Sequence, residues 1–110
     1  MNLKGLPTGM TEWSQIPEFV HPGASGTASI RTQQFGDIQI RHVVYSQNYV
    51  SDHWCSKGHI VFLIAGQLVI EHQNGATSTL STGTSYLMAD NDGSPHRGVS
   101  KNGATVFIVD

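Results

Sequence analysis

The stretch that decides the fold runs from Asp52 to Gly66 and reads DHWCSKGHIVFLIAG. His53 and Cys55 stand two positions apart, so on a strand their side chains point to the same face. His59 follows and begins an apolar run, and His96 comes later in the chain. Imidazole nitrogens and a cysteine thiolate are ligand types that transition metals favour. The four side chains are therefore a candidate metal site, provided that the fold brings them together.

The composition indicates one small all-β domain. A chain of 110 residues has the size of a single domain. Charged residues make up only 13% of the chain and there are 12 glycines. With many Thr, Ser, Val and Ile residues, this is typical of strands joined by tight turns. The net charge of −2 and the scattered lysines and arginines argue against a nucleic-acid partner.

The chain carries no signal for export or for a membrane. Residues 1–10 lack the apolar stretch of a signal peptide. The longest apolar run, Ile60 to Ala65, is too short to span a bilayer and instead predicts a strand buried on both faces. The single cysteine cannot form an internal disulfide. We therefore expect a cytoplasmic protein with no membrane partner.

Turn signals and alternating apolar residues predict eight or nine short strands after residue 27. Proline and glycine punctuate residues 1–27, which we expect to form an irregular N-terminal arm. Gly36 separates the first two strand patterns, and Asn74-Gly75 and Asn102-Gly103 are predicted to be two-residue hairpin turns, the first with positive φ at both positions. Strands at this spacing are typical of a sandwich or small barrel. The predicted strands cover 27–35, 37–46, 60–65, 68–71, 77–80, 85–88, 96–100 and 104–109.

The histidine segment resembles the first sequence motif of the cupin superfamily. That motif usually runs from a glycine through His-x-His and a glutamate to a second glycine. Here His53-Trp54-Cys55 takes the place of His-x-His, His59 falls where the glutamate belongs, and Gly66 follows. The segment from Gly83 to His96 is similar to the second cupin motif in a lengthened form. Cys55 and His59 are the two departures from the usual residue types.

The local string Asp52-His53-Trp54-Cys55 further resembles the small single-domain proteins known as DHCW-motif cupins. Residues 40–46 and 107–110 share that resemblance. It implies an all-β fold, the cupin double-stranded β-helix or jelly-roll barrel. The whole chain, 1–110, would then be one cupin domain whose barrel spans about 37–110. The subfamily has no assigned reaction to transfer.

The resemblance also implies which side chains meet. In a cupin barrel the first-motif ligands and the second-motif histidine point inward near one mouth. His53, Cys55, His59 and His96 would then hold a divalent transition metal, expected to be zinc, iron or nickel. The alternatives are a hydrogen-bonded polar cluster without metal and a Cys55 that packs as a small apolar residue. Small cupins of this kind commonly form homodimers through an N-terminal strand, so we expect a homodimer here.

Arg41 and Tyr45 share one face of the strand predicted over 37–46. If that face points into the barrel, they supply an anion clamp and a phenol beside the metal. If it points outward, they are surface residues. Both stay candidate pocket residues, although the opposite face favours the outward placement because it carries Ile38, Ile40 and Val44 and looks like core.

Three further side chains are candidate pocket residues. Lys57 lies in the turn Ser56-Lys57-Gly58, where it gates the pocket, binds an anionic ligand or is a solvated turn residue. Tyr86 and Met88 are candidate wall residues, with ordinary core packing as the alternative. Asp52 either orients its neighbouring histidine or is a loop-end charge in water.

Two histidines and one arginine lie outside these patterns. His21 and His72 have no spacing partner, and we expect them to face solvent. Arg97 should pair with a carboxylate on the face opposite to its neighbouring histidine.

The sequence leaves two functional hypotheses open. In the first, the protein is an enzyme whose metal acts on a small polar or anionic substrate, which requires an open coordination position. In the second, it is a binding or sensing cupin whose metal is structural, or which has no metal. A filled site of four protein ligands would favour the second hypothesis.

Overall fold

From Phe19 onward the chain consists of paired β-strands. The structure is a computed structural model, and it describes residues 3–91 and 93–110. A short 3₁₀ helix, Trp13–Gln15, precedes the strands. No helix among the described residues is long and apolar enough to cross a membrane. The described residues form eight strands: β1 (Phe19–Pro22), β2 (Thr27–Phe35), β3 (Ile38–Val50), β4 (His59–Gly66), β5 (Leu68–His72), β6 (Thr77–Leu80), β7 (Ser85–Met88) and β8 (His96–Val109).

Strand β8 is the centre of the antiparallel sheet, whose order is β1-β2-β3-β8-β4-β7. It pairs with β3 along most of its length, with β4 through residues 104–109 and with β5 through residues 96–99. Strand β6 extends the sheet beyond β5. Because β8 pairs with three different strands, the sheet curves around a single core. The predicted all-β jelly-roll fold is confirmed.

The segment expected to be an irregular N-terminal arm contains regular structure near its end. β1 pairs with β2 in antiparallel register from Phe19 opposite Ile30 to Pro22 opposite Thr27. β1 is an edge strand, and Phe19 and Val20 are 64% and 50% exposed.

Alternate residues of the strands form the core. In β4, Val61 and Leu63 are 3% and 0% exposed, whereas Ile60, Phe62 and Ile64 are 45%, 41% and 42% exposed. The prediction that this run is buried on both faces is therefore wrong, because its outer-face side chains stay more than two-fifths exposed. Successive strand residues point to opposite faces, and only one face reaches the core. The most deeply buried residues are Val43, Leu63, Leu68, Ser100 and Val106.

The inward face of β3 differs from the one that its apolar pattern favours. Arg41, Val43 and Tyr45 line the interior, while Val44 is 43% exposed. His42 also lies on the outer face, where the Trp13 ring stacks on it at 5.8 Å between centroids. The apolar pattern of β3 predicted the wrong inward face because the outer face of this sheet is also apolar.

One predicted hairpin is absent and another uses a different turn. Asn102-Gly103 lies inside the continuous β8 strand, in which Gly103 has φ of +92°. The turn between β5 and β6 has positive φ at Gly75 only, and the Asn74 side chain accepts a hydrogen bond from the N–H of Ala76. Gly36 separates the first two predicted strands as expected, and it has φ of +62° in the turn between β2 and β3.

Candidate metal centre

Three predicted ligands meet at one mouth of the barrel. His59 begins β4 and His96 begins β8. Cys55 lies before β4 and forms an isolated antiparallel bridge with His96. The N–H of Cys55 donates to the carbonyl of His96 at 2.8 Å, and the N–H of His96 donates back at 2.9 Å. Backbone pairing therefore fixes the thiol beside an imidazole that is distant in sequence.

The donor atoms of these residues have the spacing that one metal ion needs. A ligand atom from each of Cys55, His59 and His96 lies within 4.8 Å of the others. The Cys55 Sγ is 3.7 Å from the His59 Nε2. Donors bound tetrahedrally at zinc distances are separated by about 3.5 Å. One sulfur and two nitrogens at this spacing fit a soft or borderline transition metal.

Both imidazoles are held in the neutral form that binds metals. Burial lowers the pKa of His96 to about 4, and the positive charges of His59, His72 and His53 act in the same direction. Burial also lowers the pKa of His59, while the Asp110 carboxylate opposes that effect. Near neutral pH these rings therefore offer lone pairs without first losing a proton.

Asp110 stands directly behind His59. Its Oδ2 lies 2.7 Å from the His59 Nδ1, and its side chain is 5% exposed. Arg41 donates to the same oxygen from Nη2 at 2.9 Å. The contact to His59 is close but poorly aligned, because the His59 Nδ1 is buried without a well-formed hydrogen bond, as are the Asp110 Oδ1 and the Arg41 Nε. Asp110 is thus placed to orient the His59 ring so that the His59 Nε2 points toward the Cys55 thiol.

His53, the fourth predicted ligand, lies apart from this group. Its side chain is 66% exposed, and its Nδ1 is 2.8 Å from Oδ1 of Asp52. Oδ2 of Asp52 is 2.9 Å from Nε2 of His21, so the carboxylate bridges two histidines. These contacts lower the pKa of Asp52, the one to His53 most strongly. His53 nevertheless lines the cavity described next.

A cavity of about 270 Å³ opens beside the three ligands. Of the predicted pocket residues, Arg41, Tyr45, Lys57 and Met88 line it. The Lys57 residue is exposed, and its backbone N–H lies 3.4 Å from the Cys55 Sγ. The aliphatic part of the cavity lining includes Ala28, Ile30, Val43, Val61, Leu68, Ile70 and Ile108.

Tyr86 is not among the cavity-lining residues but lies behind the site, where it contacts His72. The expectation that His72 faces solvent is wrong. Its Nδ1 lies 2.8 Å from the Ser94 carbonyl, which can only accept, so Nδ1 donates and Nε2 accepts from the Tyr86 hydroxyl at 2.9 Å. The His72 ring packs 6.1 Å from the His96 ring. Tyr86 and His72 therefore pack behind His96, one of the candidate metal ligands.

Arg97 pairs with a carboxylate as predicted. Its Nε donates to Glu71 at 2.9 Å, and its guanidinium lies 4.4 Å from the ring centre of Trp54. This packing holds Trp54 at the surface beside the candidate site.

Asp110 is the residue that sequence reasoning missed. In the sequence it is only the last residue of the 107–110 string that resembles the DHCW-motif cupins. A carboxylate directly after a strand of alternating buried residues is a usable signal, since it continues the inward face of β8. Its partners are nevertheless far away in sequence.

Comparison with known proteins identifies the fold. A cupin-superfamily sugar phosphate isomerase from Silicibacter pomeroyi superposes with a TM-score of 0.73 at 17% identity, over 92% of this chain and 74% of the other. An RmlC-like cupin from Shewanella frigidimarina has a TM-score of 0.70 at 12% identity, over 94% and 89%. A cupin domain from Bordetella pertussis has 0.59 at 21% identity, over 81% and 93%. No family model matches the sequence, and no curated protein does.

The chain therefore has the cupin fold. Its candidate site combines a Cys-His-His donor group at the barrel mouth with an adjoining cavity.

Proposed function

We propose that this protein is a small metal-binding cupin. A divalent transition metal, zinc, iron or nickel, would be held by Cys55, His59 and His96 beside a small-molecule pocket. The observation that carries the proposal is the convergence of three donor atoms within 4.8 Å, with two neutral imidazoles among them. A carboxylate 2.7 Å from the His59 Nδ1 supports the metal-bound form over a polar cluster without metal, because ligating imidazoles commonly have such a carboxylate beside the second ring nitrogen.

Three protein ligands leave at least one coordination position for water or a small molecule. Such an ion would act as a Lewis acid toward whatever occupies that position. The chain's own part is to hold the donors and to orient His59 through Asp110.

A binding or sensing cupin is the second candidate function. It is favoured by His53, which lines the same cavity and would close the coordination sphere if it turned toward the ion. A filled site of this kind is structural rather than catalytic. This second candidate function also includes a ligand-binding or sensing cupin that holds no metal.

The test is elemental analysis of purified protein after dialysis with Zn²⁺, Fe²⁺ or Ni²⁺. We expect one equivalent in the wild type and a sharp loss in Cys55→Ala and His96→Ala. His21→Ala is the matched control, because this histidine lies at the cavity but outside the donor group. No stoichiometric metal in the wild type would reject the proposal. Retention of full affinity by Cys55→Ala would remove the thiolate from the ligand set.

We also propose a homodimer formed through the outer apolar face. This face comprises Val44, Ile60, Phe62, Ile64 and Leu87, the last of which is 72% exposed. Leu87 lies opposite Ile60 in the β4–β7 register, so their side chains share one side of the sheet. Contiguous apolar patches are uncommon on monomers, and an uncharged face of this kind is self-complementary across a two-fold axis.

We propose the cytoplasm as its location. A reducing compartment would keep Cys55 available as a thiolate.

A further inference from the structure

The Arg41 end of the cavity has unused hydrogen-bonding capacity. Arg41 gives Nη2 to Asp110, while its Nε is buried without a partner. Its other terminal nitrogen, Nη1, has no partner among residues 3–91 and 93–110 and is not buried. Because Arg41 lines the cavity, its guanidinium is within reach of a molecule bound there. A guanidinium is suited to a planar carboxylate.

Tyr45 presents a phenol to the same cavity. Its ring stacks on Tyr49 with 4.5 Å between centroids, and its hydroxyl has no hydrogen-bond partner within the described parts of the chain. Burial raises the pKa of Tyr45 far above its usual value, the neighbouring Tyr49 adds to this, and Arg41 acts against it. The hydroxyl therefore stays protonated. Arg41 and Tyr45 both line the cavity.

The charges at the site favour a negatively charged ligand. A divalent ion, the Cys55 thiolate, the Asp110 carboxylate and the Arg41 guanidinium together leave one net positive charge. Lys57 adds a further positive charge where the cavity opens. A bound anion reduces this positive charge, whereas an uncharged molecule leaves it unbalanced.

The size and lining of the cavity limit the rest of the molecule. A volume of about 270 Å³ corresponds to roughly nine water molecules at about 30 Å³ each. Much of the lining is aliphatic, and Ala28 lies beside Tyr45 in the β2–β3 register. The body of a bound molecule must therefore be small and mostly apolar.

We propose that the cavity takes a small organic monocarboxylate, with its carboxylate on the Arg41 guanidinium and its apolar body along the Tyr45 ring and the aliphatic wall. This inference rests on the proposed function, because the bound ion supplies part of the positive charge. It adds the chemical class of the ligand and the end of the cavity at which its charge lies.

The test uses zinc-loaded protein and measures binding of benzoate, benzamide and phenyl phosphate by calorimetry, with zinc content determined on the same samples. Benzamide has nearly the shape of benzoate without its charge. We expect benzoate to bind more tightly than both other probes. Arg41→Gln should weaken benzoate binding by about 10- to 100-fold with benzamide binding unchanged. Tyr45→Phe should weaken benzoate binding roughly threefold to tenfold.

Arg31→Gln is the matched control, because this arginine pairs with Glu18 away from the cavity. If Arg41→Gln fails to fold with Asp110 unpaired, Arg41→Lys keeps the charge and loses the planar fork, and a loss of benzoate affinity is again expected. Equal binding of benzoate and benzamide, tighter binding of phenyl phosphate, or wild-type benzoate affinity in the folded Arg41 variant would overturn the inference. A wild type without zinc would instead reject the proposed function.

Discussion

Cys55 and His96 exchange both backbone hydrogen bonds, at 2.8 and 2.9 Å, although 41 positions separate them in the chain. A pair that exchanges both bonds keeps the two side chains on the same side of the local sheet. The thiol is therefore placed by main-chain pairing rather than by packing of its own small side chain. Substitution of Cys55 should change the donor group while leaving the backbone of the site in place.

Cobalt substitution should separate the roles of Cys55 and His53. Cobalt-loaded wild type is expected to show a thiolate-to-metal charge-transfer band, since the Sγ belongs to the donor group. His53→Ala should keep that band, whereas Cys55→Ser should lose it. Electronic absorption spectra of the three proteins make the comparison, with His21→Ala as the histidine control. Loss of the band in His53→Ala would assign His53 to the ligand set.

Asp110→Asn should weaken metal binding without removing a ligand. The carboxylate lies 2.7 Å from the His59 Nδ1, and we expect it to orient that ring when a metal is bound. Loss of such an outer carboxylate typically costs about 10- to 100-fold in metal affinity. Competition with a zinc indicator measures the change. Glu12→Gln, at an exposed position that does not line the cavity, should retain wild-type affinity, and equal affinities for all three proteins would contradict the role of Asp110.

Acidification should destabilise the metal-free protein between the usual histidine pKa of about 6.5 and the pKa of about 4 that burial gives His96. The folded state keeps this ring neutral while the unfolded chain takes up a proton, so the free energy of unfolding falls as the pH falls through that window. Below both values the penalty is constant. Urea denaturation with chelator at pH 7 and pH 5 measures it.

His96→Gln is the comparison for this pH effect. The variant should lose less stability than the wild type between pH 7 and pH 5, because it lacks the titrating ring. An identical loss in both proteins would show that His96 does not titrate in this window.

Gly58→Ala should destabilise the turn that carries the thiol. A Cβ at Gly58 would lie 2.6 Å from the Met88 carbonyl oxygen and 2.8 Å from the Asp90 N, and neither backbone atom can move freely. Overpacking of this kind costs about 1–3 kcal/mol. Thermal denaturation checks the loss. Gly5→Ala is the control, because a Cβ there meets nothing within 4 Å, and similar melting of both variants would contradict the steric argument.

A charge on the outer apolar face should dissociate the proposed dimer. Phe62→Glu places a carboxylate at a side chain that is 41% exposed in the single chain. If two copies bury this face, the variant should be monomeric by light scattering while the wild type is dimeric. Gln34→Glu, at an exposed position of β2, adds the same charge elsewhere and should stay dimeric. A monomeric wild type would remove the homodimer from the proposal.

The metal-donor residues could be predicted where they lie close together in the sequence. Cys55 and His59 lie close together in one segment, and the resemblance to cupins supplied His96. The Arg41 face was harder to predict, because outward residues of β3 and β4 are as apolar as inward ones. Asp110 could not be assigned a role, since its partner Arg41 is 69 positions away. Periodicity describes a single strand, whereas these relations depend on how distant strands pair.

The position of β8 sets an order in time. This strand brings His96 to the site at its beginning and Asp110 directly after its end, while Cys55 and His59 belong to an earlier segment. The site is therefore incomplete until β8 has paired with strands far from it in sequence, and such long-range pairing is slow. We expect the ion to be taken up as one of the last events of folding, so that metal supply governs how long the native state persists rather than how fast it forms.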